Sequence, residues 1–368
     1  MRLPYLNEKG LAQASAERVA RERATRITEA GEGRRVHDAT CGIGADASAL
    51  AQAGAHVSCG DLDPECALFT RANLEAAGYA PRVVRADARA GAVRAELVTI
   101  DPDRRAGGKR SLDPRTWSPS LAAALATAAR HEGACLKLAP SLDAALLLEA
   151  ERAALPREQP RNREWWSHAG ELAEVCLWTG VLAEEGAPPR RAVLLPRGGG
   201  RAVFEGAPET APPLSAQEAR EVAWIADPDP ALLRSGLLGR LAREEGMAPL
   251  AARIAFLGGP GRPSSPFLRP WRVLATCALD PRRVRAMLAS FDVGPLDVSR
   301  RGHPDSAEAL ARRLRGRGSR RGRLVVARLD PGHRAYLVED PRGQEAAAGG
   351  AEAELVGDEG LEPPTPSL

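Results

Sequence analysis

An open α/β sheet of mostly parallel strands, followed by a smaller α+β domain, is the fold class this chain predicts. Three observations carry it. Short apolar runs alternate with helical segments from residue 33 to about residue 154, the rhythm of a parallel sheet with crossover helices. The first run opens into Thr40-Cys41-Gly42-Ile43-Gly44, a glycine turn ahead of a helix. The second run ends at Gly60-Asp61-Leu62-Asp63, which puts carboxylates at the end of the next strand. With these parts an α/β sheet holds an adenosine-containing cofactor: glycines let backbone N–H groups approach the ligand, and an acid takes the ribose hydroxyls.

The elements follow in order. Residues from about Gly10 to Ala30 show helical spacing with many charges, and Gly31-Glu32-Gly33 ends that run, giving a helical lead over 1–32. Strand Arg35–Ala39 feeds helix Ala45–Gln52, and strand Ala55–Cys59 feeds helix Pro64–Ala77. Asp63-Pro64 reads as the cap and first-position proline of that helix. Arg82–Arg85 is a short strand running into Ala86-Asp87-Ala88, and strand Glu96–Ile100 delivers Asp101-Pro102. Helix Ser118–Arg130, strand Ala134–Leu138 and helix Leu142–Ala154 come next. Glu164–Ser167, Val175–Thr179 and the hairpin Ala192–Leu195/Ala202–Glu205 then finish the first domain, assigned to 33–207. A proline-rich linker spans Pro208 to Pro213. The second domain, 214–329, is predicted to place helices at Ala231–Glu245, Pro281–Ser290 and Ser306–Arg315. Its strands are expected at Arg253–Leu257, Trp271–Leu279 and Leu324–Leu329, with Leu296–Ser299 short and extended. Residues 330–368, Gly/Ala/Glu-rich and then Pro-rich, read as a disordered tail.

Composition bounds the partners. A net charge of +3 over 368 residues names none by itself. Its distribution says more: ten arginines and two acids lie between Arg300 and Arg328, then nine acids and two arginines from Asp330 onward. Such an asymmetry points toward nucleic acid. The six cysteines form no C-x-x-C pair and have no histidine at ligand spacing, which argues against zinc and a disulfide scaffold. No apolar run approaches a membrane span or a signal-peptide core, so the expectation is a cytoplasmic protein with no membrane partner and no metal.

The turn itself separates two cofactors. A dinucleotide site wants G-x-G-x-x-G over a pyrophosphate. Here Cys41 replaces the first glycine, and Asp46 sits where a carboxylate would repel phosphate at a helix N-terminus. A ligand bearing an ammonium and a sulfonium, S-adenosyl-L-methionine, suits that acid better. A nicotinamide-dependent oxidoreductase is the weaker alternative.

Ala39-Thr40-Cys41-Gly42-Ile43-Gly44-Ala45-Asp46, Asp61-Leu62-Asp63-Pro64, Asp101-Pro102-Asp103-Arg104-Arg105, Lys137-Leu138-Ala139-Pro140 and Ser299-Arg300-Arg301-Gly302 together resemble one family. It is the class I S-adenosylmethionine-dependent methyltransferases with a C-terminal THUMP-like domain. The resemblance implies a Rossmann-like seven-stranded methyltransferase sheet, methyl transfer, and RNA (tRNA or rRNA) as the acceptor presented by the second domain. It also implies roles: Asp38 and the backbone of Cys41, Gly42 and Gly44 at the methionine end, Asp61 on the ribose with Asp63 a lesser substitute, and Asp87 on the adenine amino group. Asp101 and Pro102 would stand where the methyl group meets its acceptor.

Plainer readings stand beside these. Asp38 can cap the turn, Asp63 can cap its helix, and Asp87 can be a surface acid. Enzymes that methylate a flipped base amine show Asn/Asp-Pro-Pro-aromatic after the fourth strand, whereas this chain has Asp101-Pro102-Asp103-Arg104. Arg104, Arg105, Lys109 and Arg110 are instead candidates for phosphate contact. Trp117, Trp165 and Trp166 are candidates for a stacking face or for the core. Lys137 is a candidate for the site or for an ordinary ion pair. In the second domain the nucleic-acid candidates are Arg300, Arg301, Arg312 and Arg313, in a stretch without aromatics that suits phosphates over stacked bases. The competing functions are a catalytically inactive RNA-binding relative and a methyltransferase of a small-molecule or protein acceptor.

Overall fold

A computed structural model describes residues 17–340, apart from residue 92 and residues 106–110. Residues 1–16 of the expected lead, Lys109, Arg110 and the tail beyond 340 lie outside the described residues. The chain divides into two units. One holds residues up to Thr210 together with Asp229–Arg240, and the other holds Ala211–Pro228 and the residues from Leu241 onward.

The first unit begins with α1 (Glu17–Gly31). The strands β1 (Val36–Asp38), β2 (Val57–Asp61), β3 (Arg82–Arg85), β4 (Leu97–Ile100) and β5 (Gly133–Leu138) alternate with α2 (Ala45–Gln52), α3 (Pro64–Ala76) and α4 (Leu121–Ala128). Helix α5 (Ala144–Ala154) leads to β6 (Arg161–His168), β7 (Glu171–Gly180), β8 (Arg190–Leu195) and β9 (Ala202–Gly206). They form one sheet in the order β3-β2-β1-β4-β5-β7-β6-β8-β9. β1 to β5 pair in parallel, and β7 then runs antiparallel between β5 and β6. The sheet therefore has nine strands where seven were expected. The hairpin β8–β9 extends it, because β8 joins β6 in parallel register from Arg163↔Arg190 to His168↔Leu195. Strand order reverses between β1 and β4, and a crevice at such a switch point is where open α/β sheets bind ligands.

Helix α1 is the least expected part. Val19, Ala20, Ala24 and Ile27 form one buried stripe, packed with Leu50 of α2 and with Trp166 and Trp178 of the sheet. Arg23 and Arg26 lie on the same buried side. A charged lead has become a core helix whose buried cations must be paired.

The second unit carries α6 (Glu218–Glu221) and β10 (Trp224–Pro228) before the chain returns to the first unit with α7 (Pro230–Ser235). The helix expected over Ala231–Glu245 is broken at Gly236, whose φ of 75° ends α7; α8 (Leu238–Glu244) follows. Then come β11 (Ala248–Ala251), β12 (Ile254–Gly259), β13 (Leu268–Ala278), α9 (Pro281–Ala289), β14 (Val293–Arg301), α10 (Ala307–Leu314), β15 (Arg320–Arg328) and β16 (His333–Glu339). The sheet order is β11-β12-β10-β13-β16-β15-β14. β16 corrects the domain boundary at 329: it pairs with both β13 and β15 and buries Ala335 to Val338 in a row. A strand buried on both faces shows no alternation, so it read as part of the acidic tail. No helix among the described residues is long and apolar enough to cross a membrane.

Candidate active site

The turn between β1 and α2 is fastened on several sides. Ala39 N–H donates to Thr99 O on β4 and Cys41 N–H to Gly60 O on β2, each at 3.0 Å. From α3, Thr70 Oγ1 donates to Gly42 O at 2.9 Å and Asn73 Nδ2 to Ile43 O at 2.8 Å. Gly42 and Gly44 hold φ of 54° and 86°. A Cβ on Gly44 would stand 3.1 Å from Thr70 Oγ1 and 3.2 Å from its Cα, while one on Gly42 would meet open space. Gly44 is thus demanded by helix packing, and Gly42 leaves room for a ligand. Sequence reading missed Thr70 and Asn73. Their signal is two polar residues three apart on the side of α3 that buries Ala67 and Leu74.

Asp61 ends β2 and ties the turn down. Its Oδ2 accepts from Gly42 N–H and its Oδ1 from Asp63 N–H, both at 2.9 Å. Asp63 caps α3 by accepting Glu65 N–H at 2.9 Å, the plainer of its two expected roles. A cavity of about 970 Å³ lies against these residues, with Thr40, Cys41, Asp61, Asp87, Asp101 and Lys137 in its wall.

Asp87 lies in that wall but two residues beyond β3. It caps the short turn Ala88–Ala90, and its carboxylate is gripped in a bidentate pair by Arg89. Arg89 holds the Asp87 carboxyl below the usual range. Both oxygens of the Asp87 carboxylate are therefore already engaged by Arg89.

Asp38 is 3% exposed and is not part of the lining; among the described residues its Oδ2 has no hydrogen-bond partner. Burial, reinforced by Asp46, pushes its carboxyl up to about 7, with Lys137 and the Thr40 N–H opposing. An acid raised in the fold binds its proton more tightly there than in the unfolded chain. Its contribution to stability is therefore full below about pH 4 and falls as pH rises toward 7. Urea midpoints measured from pH 4 to 8 are expected to show this loss in the wild type and not in Asp38→Asn. Parallel curves for the two proteins would contradict the assignment.

At the end of β4, Asp101 N–H donates to Thr40 Oγ1 at 2.7 Å. Lys137 Nζ, at the end of β5, lies 2.5 Å from Asp101 Oδ2 and 3.1 Å from Asp46 Oδ2. Asp46 also pairs with Arg23 of α1, which pairs in turn with Glu174 of β7. Burial opposes the Asp46 charge, yet Arg23 and Lys137 hold its carboxyl down to about 2. Asp46 is therefore already matched by protein cations, which weakens its expected role in attracting a cationic ligand. The open space at Gly42 and the Asp61 carboxylate in the cavity wall fit that ligand independently.

Arg104 and Arg105 also line the cavity. Trp117 belongs to the wall and donates through Nε1 to Ser111 O at 3.2 Å. Trp165 and Trp166 do not face it; both are buried in β6.

A parallel sheet with its switch point at β1/β4, a glycine turn after β1, an acid closing β2 and a cavity against both define a class I S-adenosylmethionine-dependent methyltransferase. Two proteins from strains of Mycobacterium tuberculosis, each named an uncharacterized S-adenosylmethionine-dependent methyltransferase, are 34% identical to it over 331 residues. The match covers 90% of this chain and 86% of each of theirs. The chain belongs to this family of S-adenosylmethionine-dependent methyltransferases, and its cofactor is S-adenosylmethionine. Residues 268–340 match the THUMP domain-like family, which carries that domain through β16. A crystal structure from Porphyromonas gingivalis, provisionally named a methyltransferase, shares the fold with a TM-score of 0.70 at 17% identity. That likeness covers 91% of this chain and 83% of that one.

Proposed function

We propose that this methyltransferase acts on RNA, which it grips through the second unit. The carrying observation is an arginine-rich layer there. Helices α9 and α10 bury Val284, Leu288, Leu310 and Leu314 against the sheet and leave Arg282, Arg283, Arg285, Arg312 and Arg313 exposed. Asp305 offsets part of this charge through Arg313 at 2.7 Å. The layer shows guanidinium groups without aromatics, a surface for phosphates. Arg282, Arg283 and Arg285 were not among the sequence candidates. Of those that were, Arg301 is engaged elsewhere, 2.7 Å from Asp227 and with its guanidinium 4.9 Å from the Phe256 ring centre. Arg300 is exposed, with Nη1 bonded to His303 O.

In the first unit, the backbone at Cys41 and Gly42 with Asp61 holds the cofactor, while Asp38 and Gly44 stand outside the cavity wall. Bound there, the cofactor supplies an electrophilic methyl group on a sulfonium. Asp101 and Pro102 face the acceptor, with Arg104 and Arg105 beside them for phosphate.

Filter binding of the full chain to total tRNA over a salt series tests the RNA reading. The triple variant Arg282→Ala, Arg283→Ala, Arg312→Ala is expected to bind more weakly, with a log–log salt slope shallower by about 2, or ~0.7 per lost phosphate contact. Equal affinity and slope in the two proteins would remove the support this layer gives.

A further inference from the structure

Of the 51 lysines and arginines in the chain, only Lys9, Lys109 and Lys137 are lysines, and Lys137 alone falls among the described residues. Where other buried carboxylates need a cation, the chain uses arginine: Arg23 for Glu174, Arg26 for Glu164 and Arg163 for Glu151. Lys137 stands apart in chemistry and place. Its side chain is 11% exposed, lies in the cavity wall, and meets carboxylates from two elements, Asp101 after β4 and Asp46 in the first turn of α2. A compact ammonium with three rotatable donors serves the two carboxylates from one point, whereas Arg23 spans Asp46 and Glu174 with its two separate terminal nitrogens. Asp46 is a fixed anchor because Arg23 also pairs with it.

We infer that Lys137 is a positioning residue for methyl transfer: anchored on Asp46, it holds the Asp101 carboxylate in the orientation from which that carboxylate takes the acceptor's proton. The inference rests on reading Asp101-Pro102 as the acceptor end of the cavity. The acceptor heteroatom bonds to the methyl carbon as the carbon–sulfur bond breaks, its electron pair staying on sulfur. The acceptor's proton goes to Asp101 and then to water. A carboxylate is base enough, since that proton becomes strongly acidic as the new bond forms. Burial opposes the Lys137 charge, but Asp101 and Asp46 outweigh it and keep the ammonium protonated, so Lys137 is not the base. The acceptor is then a group with a proton to give up, a hydroxyl or an amine, and not a ring nitrogen without one.

The full chain labelled with 15N-lysine tests the bridge without any acceptor. One slowly exchanging ammonium signal is expected, absent in Lys137→Met and displaced in both Asp101→Asn and Asp46→Asn. A signal that ignores Asp101→Asn overturns the inference. In parallel, methyl transfer from tritium-labelled cofactor to total RNA is expected to fall about 100-fold in kcat for Lys137→Met, with S-adenosylhomocysteine affinity changed less than about threefold and partial recovery in Lys137→Arg. A loss of affinity as large as the loss of kcat would make Lys137 part of cofactor binding and overturn its positioning role. Should the wild type leave RNA unmethylated while the lysine signal answers both carboxylate variants, RNA fails as substrate and the bridge stands.

Discussion

Asp61→Ala is expected to remove measurable S-adenosylhomocysteine binding while Asp63→Ala keeps it. The two carboxylates stand two residues apart and both line the cavity, yet their work differs. Asp63 is occupied with Glu65 N–H at the start of α3, so its loss costs helix stability of about 1 kcal/mol and little affinity. Asp61 has one oxygen on Gly42 N–H and the other on Asp63 N–H. Each carboxylate oxygen can accept a second hydrogen bond, which leaves the pair suited to two neighbouring hydroxyls. Hydrogen bonds to a charged group are worth about 1.5–3 kcal/mol each, so losing two weakens binding by at least ~100-fold. The alanine variant also releases Gly42, whose N–H then lacks its acceptor, and the turn loses its tie to β2. Calorimetry on both variants, with a melting curve to show that each is folded, reads the difference. Wild-type affinity in folded Asp61→Ala would remove Asp61 from the cofactor site.

Legibility in the sequence followed local rules. Gly44, Asp61 and Asp63 were readable because a turn and a helix cap impose themselves within a few residues. The place of Asp101 in the cavity wall was readable because Leu97 to Ile100 is a buried strand whose C-terminal end opens at the switch point of the sheet. The partners were not readable, since Thr70, Asn73, Arg23 and Glu174 come to the site from distant elements and only packing brings them there. Asp46 shows the cost: read alone it was an unpaired acid awaiting a cationic ligand, and in the fold it belongs to Arg23 and Lys137. Composition held one unused clue: the chain has only three lysines, and Lys137 is the one among the described residues. The nine strands were nearly all visible as extended segments. Their number in one sheet was not, because the parallel pairing of β6 with β8 joins segments separated by a whole antiparallel strand.

Arg26→Ala is expected to produce the largest loss of stability. Arg26 pairs with Glu164, which has no exposure, donates to Leu182 O at 3.3 Å and places its guanidinium 4.1 Å from the centre of the Trp178 ring. Trp178 Nε1 donates to the same carboxylate at 3.0 Å. Arg191 lies 3.6 Å from Glu164 but is also paired with Glu184 and Glu205, so it compensates only in part. Removing one partner of a buried pair leaves an uncompensated charge and costs about 3–5 kcal/mol, which in a unit of this size lowers Tm by about 10 °C. Removing the charge as well discriminates between charge and packing: Arg26→Met with Glu164→Met is expected to recover most of the loss, because the desolvation penalty goes with the pair. If the double variant is as unstable as Arg26→Ala, the damage lies in packing against Trp178 and not in the stranded carboxylate. The consequence reaches the site. Arg26 and Arg23 ride on the same helix, so loosening α1 withdraws Arg23 from Asp46 and leaves Lys137 with a mobile anchor. Methyl transfer in Arg26→Ala should then fall further than its folded fraction accounts for.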